Sequence, residues 1–192
     1  MPYKNEGGVK FTNHKIGSPL ENIAGSCAVC HRESEKTLIK NVNDRQDKIT
    51  ELKLIAERSL AAAHIEAAAA YRAGADSAEL VPALTLIRHA QWRWDWVSAA
   101  NGVGFHSPLE AARVLGTSIQ RSEESRRFIT QILIKYHASP VVPFPDLSTK
   151  AKAQAFIGLD MKKLIGEKAE FKKTILPEWD KKAKESRGTT IE

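Results

Sequence analysis

The stretch from Asp44 to Ala73 most constrains what this chain can fold into. Ile49, Leu52, Ile55 and Ala56 recur at helical spacing, followed by Leu60, Ala63 and Ala67. The runs Ala61-Ala62-Ala63 and Ala67 to Ala70 add high helix propensity and little bulk. Asn43 or Asp44 can cap the start of this helix, and Gly74 its end. About thirty residues rising 1.5 Å each make a rod of roughly 45 Å. A chain of 192 residues cannot bury such a rod along its whole length, so the helix is expected to extend to a partner. Its small-residue face admits close approach of another helix or of a flat cofactor.

Two more long helices follow in the pattern. Pro82 suits an early helical position and starts a second helix that runs to about Ala100, where Asn101-Gly102 ends it. A third begins near Pro108-Leu109-Glu110 and runs to about Tyr136, with Leu115, Ile119, Phe128, Ile132 and Leu133 as core positions. Its middle, Gln120 to Arg127, is polar, which predicts a solvent-bridging or subunit-facing rod. The prolines of Ser139-Pro140-Val141-Val142-Pro143-Phe144-Pro145 break it. A short helix from about Ser148 to Ile157 and a basic amphipathic stretch after Asp160 complete the chain, with Ser186 to Glu192 frayed. Met1 to Ser26 has no sustained periodicity and reads as loop with short turns, without strand pairing. The fold class is all-α. The expected organisation is an irregular loop segment that carries both cysteines over 1–43, a long-helix domain over 44–138, and short helices with a basic tail over 139–192.

Charge excludes less than it first suggests. The formal net charge is +6, and lysines crowd the chain from Lys150 to Lys184. Glu167, Glu170, Glu178 and Asp180 are interspersed among them, and stacking aromatics are few. A solvated, salt-bridged helical face accounts for this better than a nucleic-acid surface. No apolar run approaches the roughly 20 residues needed to span a bilayer. Met1 to Lys10 is polar and does not read as a signal peptide.

Chemistry concentrates in Cys27-Ala28-Val29-Cys30-His31, which contains the only two cysteines. CxxCH is the attachment signature of a c-type haem. Two thiols spaced in this way can each form a thioether to a haem vinyl group, and the adjacent imidazole can then lie under the iron. The residues also admit a zinc site completed by another histidine, or a redox dithiol. No second CxxC completes a zinc ribbon and no βαβ context surrounds the dithiol, so haem is favoured. Covalent haem c is normally installed outside the cytoplasm. A chain that carries it should be exported, which conflicts with the missing signal and points to a longer precursor or a fragment.

Three of the four tryptophans fall within Trp92-Arg93-Trp94-Asp95-Trp96. Their rings can pack a helix junction, or they can pack against porphyrin edges while the indole N–H groups find polar partners. The pattern leaves both open.

CxxCH, the long Ala-rich helix, Arg88-His89-Ala90-Gln91-Trp92-Arg93-Trp94-Asp95-Trp96, and Asn101-Gly102-Val103-Gly104-Phe105-His106-Ser107-Pro108-Leu109-Glu110-Ala111 occur in that order. Over essentially the whole chain this resembles the C-terminal part of the ammonia-forming cytochrome c nitrite reductase family of periplasmic multihaem enzymes. The resemblance implies five haems, four of them on CxxCH with two histidine ligands each. The fifth, catalytic haem sits on CxxCK and reduces nitrite to ammonium with six electrons. It also implies a homodimer built on long C-terminal helices, and a redox donor protein. By this resemblance Cys27 and Cys30 anchor the last haem and His31 is its proximal ligand. His14 sits where the family has the distal ligand of the second haem, and His106 where it has that of the fourth. Taken alone, a histidine in a Gly-flanked loop reads as a surface or turn residue, so the ligand role of His14 and His106 comes from the resemblance. His64, His89 and His137 match no ligand position.

The departures matter too. No CxxCK is present, and the family's calcium site, its active-site Arg, Tyr and His, and the distal ligand of the last haem lie upstream of the matched region. Met1-Pro2-Tyr3 resembles the residues that directly follow the fourth haem's CxxCH. The chain is therefore expected to be a C-terminal fragment or truncated product without nitrite reductase activity of its own. A haem at Cys27 and Cys30 would be five-coordinate or would recruit His14 or His106. The competing expectations are a free-standing monohaem electron carrier and an apo helical assembly module.

Overall fold

The computed structural model describes residues 3–14 and 17–188. Three long helices dominate it: α1 (Glu35–Arg72), α2 (Ser77–Ala99) and α3 (Pro108–Lys135). Contacts divide the chain into two units, Met1–Val142 and Pro143–Glu192.

The helix α1 begins at Glu35 rather than at Asn43 or Asp44. Ser34 makes the cap, its Oγ accepting from the Thr37 backbone N–H at 3.2 Å and lying 2.8 Å from Thr37 Oγ1. The cap lies before the apolar periodicity sets in, which is why periodicity placed the start too late. With 38 residues, α1 is about 57 Å long. It ends through Ala73 into Gly74, whose φ of +91° suits glycine. Asp76 then caps α2 by accepting from the Ala78 N–H at 3.0 Å. Pro82 therefore lies inside α2 and does not begin it.

α1, α2 and α3 form a three-helix bundle with two apolar clusters. One joins Leu60, Ala63, Ala67 and Ala70 of α1 to Leu80, Ala83, Ile87 and Ala90 of α2 and to Ile129 and Leu133 of α3. The other joins Ile49 and Ala56 of α1 to Val97 of α2 and to Ala111 and Leu115 of α3. The alanines of α1 are thus a packing face for the neighbouring helices.

Within the polar middle of α3, Gln120 and Arg127 are exposed while one face of serines packs inward. Ser118, Ser122 and Ser125 are fully buried, and Ser118 Oγ and Ser125 Oγ donate to the Ala90 and Ala83 carbonyls of α2 at 2.8 and 2.9 Å. On the α1 side, Arg126 forks onto both carboxylate oxygens of Glu66 at 2.8–3.1 Å and also pairs with Glu123. Ser59 Oγ donates to Glu123 as well. Burial opposes ionisation of Glu123, but the bonds from Ser59 and Arg126 and the charges of Arg126 and Arg127 outweigh it. Its carboxyl is held below the ordinary 4.5. This half-exposed charge network ties α1 to α3.

The N-terminal segment also departs from expectation. Tyr3–Glu6 (β1) and Val9–Thr12 (β2) pair antiparallel, with Glu6 opposite Val9 and Tyr3 opposite Thr12. Gly7 and Gly8 both take positive φ, +58° and +81°, as a two-residue type I′ hairpin turn requires. Lys10 Nζ lies 4.4 Å from the Tyr3 ring centroid and steadies the pair. The strand sequences alternate too weakly to announce themselves, and Gly7-Gly8 is the signal that was available. Met1 and Pro2, which carried the likeness to the residues after a fourth CxxCH, lie outside the described residues, as do Lys15, Ile16 and residues 189–192.

The second unit holds α4 (Lys150–Phe156) and α5 (Met161–Gly188). Gly158, at φ +75°, turns between them, and Asp160 Oδ1 caps α5 by accepting from the Lys163 N–H at 3.0 Å. Phe171 and Trp179 meet edge to face on α5, 5.4 Å between centroids. Asp146 pairs with Lys152 and accepts from the Ser148 N–H, and these contacts hold its pKa down to about 2. Because the folded value is depressed, the pair's contribution is complete above the ordinary 3.8 and fades as pH falls toward 2. Carboxyl NMR should place the Asp146 midpoint near 2, and Lys152→Ala should return it toward 3.8; an unchanged midpoint in the variant would disprove the pairing. Among the described residues, no helix is long and apolar enough to cross a membrane.

Candidate haem-attachment site

Residues 17–31 hold their shape through local hydrogen bonds and one apolar plug. Ser18 Oγ caps a 3-10 turn over Pro19–Asn22 by accepting from the Leu20 N–H at 3.3 Å. Asn22 Oδ1 accepts from the Gly25 N–H at 3.0 Å. Ile23, only 4% exposed, is the plug. Its carbonyl accepts from the Ala28 N–H at 2.9 Å, which folds the chain back so that a second 3-10 turn, Cys27–Val29, starts at the first cysteine.

That turn sets the geometry of the motif. The Cys27 carbonyl accepts from both the Cys30 and His31 N–H groups, at 3.2 and 2.9 Å. Cys30 is thus the cap of the turn that Cys27 starts, one 3-10 turn further along the chain. Both thiols are free, Cys27 half-buried and Cys30 exposed. His31 is exposed as well, with Nδ1 3.7 Å from Glu33 Oε2. Two free thiols one turn apart, followed directly by an exposed imidazole, are a donor set that fits a c-type haem. Cys27 and Cys30 would hold it, and His31 would be the proximal ligand.

The other two predicted ligands lie elsewhere. His14 follows β2 and is exposed. His106 is exposed in the loop between α2 and α3, its ring 4.6 Å from that of Phe105. No group of three or more His, Cys, Asp or Glu side chains gathers into a metal-binding cluster among the described residues. His31, His14 and His106 therefore do not form one ligand set. His64, His89 and His137 are exposed.

The loop that presents His106 is built with care. Val103 and Gly104 both take left-handed φ, +45° and +69°. A Cβ on Gly104 would fall 2.7 Å from that of Ala111 and 3.4 Å from Ile49 Cγ1. Gln46 Nε2 donates to the Gly102 carbonyl at 3.1 Å, and the Arg45 guanidinium lies 5.5 Å from the Phe105 ring centroid. Arg45 and Gln46 are supports that sequence reasoning missed. Nothing local marks two polar residues on α1 as partners of a loop more than fifty positions away.

Of the two roles left open for the tryptophans, the structure shows the helix-junction one, for Trp94. Trp94 packs against both apolar clusters, and its Nε1 donates to the Lys53 carbonyl at 3.3 Å, so it seals the helix junction. Trp92 and Trp96, 69% and 52% exposed, project outward.

The family model for cytochrome c552 matches residues 1–187. This chain belongs to the cytochrome c552 family. It is 50% identical to the cytochrome c-552 of Bacteroides fragilis strain YCH46, 48% to that of Bacteroides thetaiotaomicron and 47% to that of Porphyromonas gingivalis. Each match runs over 184 residues, covering 96% of this chain and 37% of the relative. The chain thus spans little more than a third of the length of these relatives. In a chain of a cytochrome c family, two cysteines at positions 27 and 30 are consistent with a CxxC haem site.

Proposed function

We propose that this chain is the haem-bearing, dimer-forming C-terminal portion of a periplasmic cytochrome c nitrite reductase, an enzyme of respiratory nitrite ammonification. The observation that carries the reading is the turn that starts at Cys27, with two free thiols one turn apart and the exposed His31 imidazole next to them. It stands in a chain that the cytochrome c552 model covers almost end to end. Bound there, haem c supplies one-electron redox chemistry, and this segment serves electron transfer rather than nitrite reduction. Cys27 and Cys30 anchor the group and His31 ligates it. His14 and His106 are ligands to haems carried by the upstream portion of the same protein, which also holds the lysine-ligated catalytic haem and the calcium. The long helices are the surface for a second copy, and a redox donor protein delivers the electrons.

The test is a visible spectrum and pyridine haemochrome assay on the full chain after export and haem maturation. One haem c per chain is expected, falling to none in Cys27→Ala/Cys30→Ala, with no nitrite turnover by the chain alone. A wild-type chain that stays colourless after maturation would overturn the reading of the motif. Nitrite turnover would overturn the division of labour.

A further inference from the structure

One hydroxyl lies beside the first thiol of the motif. Ser26 Oγ lies 2.6 Å from the Asn22 carbonyl oxygen and 2.9 Å from that of Pro19, and donates to them. The same oxygen is 3.7 Å from Cys27 Sγ. The two carbonyls belong to the preceding 3-10 turn, Pro19–Asn22. A single side chain therefore ties that turn to the next one at the residue where the next one begins. A serine hydroxyl has one hydrogen and rotates to suit its partners. With the two carbonyl oxygens and Cys27 Sγ all within reach, the Ser26 side chain is held between them, its one hydrogen shared among these acceptors. The Cys30 end is held differently, by its backbone N–H on the Cys27 carbonyl at 3.2 Å, and its side chain is exposed. The two thiols of the motif are thus unequal: one half-buried against the Ser26 hydroxyl, the other out in solvent.

We propose that Ser26 is a positioning residue for haem attachment, holding the Cys27 thiol in place so that Cys27 is the fixed anchor and Cys30 the adaptable one. The proposal rests on the haem-attachment reading of the motif. In the step it serves, Cys27 Sγ forms a bond to one carbon of a porphyrin vinyl group. The thiol hydrogen passes to the other vinyl carbon, and the vinyl double bond becomes single. One S–H bond and one π bond break, one S–C and one C–H bond form, and no external oxidant or reductant is needed. A thiol on a freely rotating side chain must be oriented anew for this addition, and pre-orientation removes that cost.

Two measurements on the full chain test this, with Ser26→Ala and Ser26→Thr beside wild type and far-UV circular dichroism confirming equal helix content. The first uses chain made without haem and iodoacetamide as probe, with alkylation at each cysteine followed by mass spectrometry. In wild type Cys30 reacts several-fold faster than Cys27; in Ser26→Ala the two rates converge to within about twofold, because Cys27 loses its protected position. Ser26→Thr, which keeps a hydroxyl, retains the wild-type ratio. The second uses chain matured with haem, and counts haem-bearing molecules whose Cys27 can still be alkylated. These accumulate in Ser26→Ala and are rescued in Ser26→Thr. Unchanged thiol rates in Ser26→Ala, or equal effects of Ala and Thr, overturn the proposal. Because the first measurement needs no haem, it judges Ser26 even if the wild-type chain never acquires the cofactor, an outcome that would instead overturn the reading of the motif.

Discussion

Replacing Ser125 with leucine lowers the unfolding free energy of the helical bundle by about 3 kcal/mol, as expected when extra methylenes are forced into a packed interior. The site has no room. Ser125 is fully buried, its Oγ donates to the Ala83 carbonyl, and Ala83 is itself 0% exposed. Ser118 meets the carbonyl of Ala90 in the same way, two turns earlier on α3. Serine on one helix against alanine on the other lets the two backbones approach closely along this seam. Leucine at position 125 pushes α2 off α3 and also removes the hydroxyl. Ser125→Ala separates the two effects, since it loses only the hydrogen bond and should cost about 1 kcal/mol. Urea denaturation followed by circular dichroism reads both. If Leu and Ala cost the same, the close approach is not what the serine provides.

That seam also shows where the amino-acid pattern stops being legible. The existence of α2 and α3, and the end of α1 near Gly74, follow from apolar spacing and from Gly and Pro punctuation. The partners of α3 do not. Gln120 to Arg127 reads as a wet surface because Ser, Glu and Arg are polar. Yet three serines at positions 118, 122 and 125 share one helical face, and small residues at that spacing permit close packing as well as solvation. Arg126 is polar for another reason: Glu66, on the buried side of α1, needs a partner. Only the pairing of α1 with α3 reveals that need, and pairing is a long-range fact. The hairpin illustrates the opposite failure. Gly7-Gly8 was a local signal and was overridden by strands of low apolar content. At the candidate site, Cys27, Cys30 and His31 stand out because covalent haem attachment would demand that fixed spacing. Ser26, Arg45 and Gln46 do not, because they act through carbonyls and a ring that only folding brings near.

The second large effect belongs to Gly104. Substituting alanine there should cost about 3 kcal/mol, from a left-handed φ that a Cβ disfavours and from overpacking. The backbone sits at φ +69°, and the new Cβ would fall 2.7 Å from that of Ala111, with Ile49 close behind. Neither neighbour can swing aside, since Ala111 is on α3, Ile49 is on α1, and both are buried in the second apolar cluster. The loop must move instead, and with it Phe105 and His106. Gly102 is the control: it lies two residues away with open space where a Cβ would go, so Gly102→Ala should stay within about 0.5 kcal/mol. The same denaturation assay compares the two, and the His106 imidazole resonances report on the loop. A strained Gly104→Ala loop shifts those resonances while Gly102→Ala leaves them in place. Equal, small effects from both alanines would mean that the turn before His106 is not braced between α1 and α3. In that case the placement of His106 could not depend on glycine at position 104.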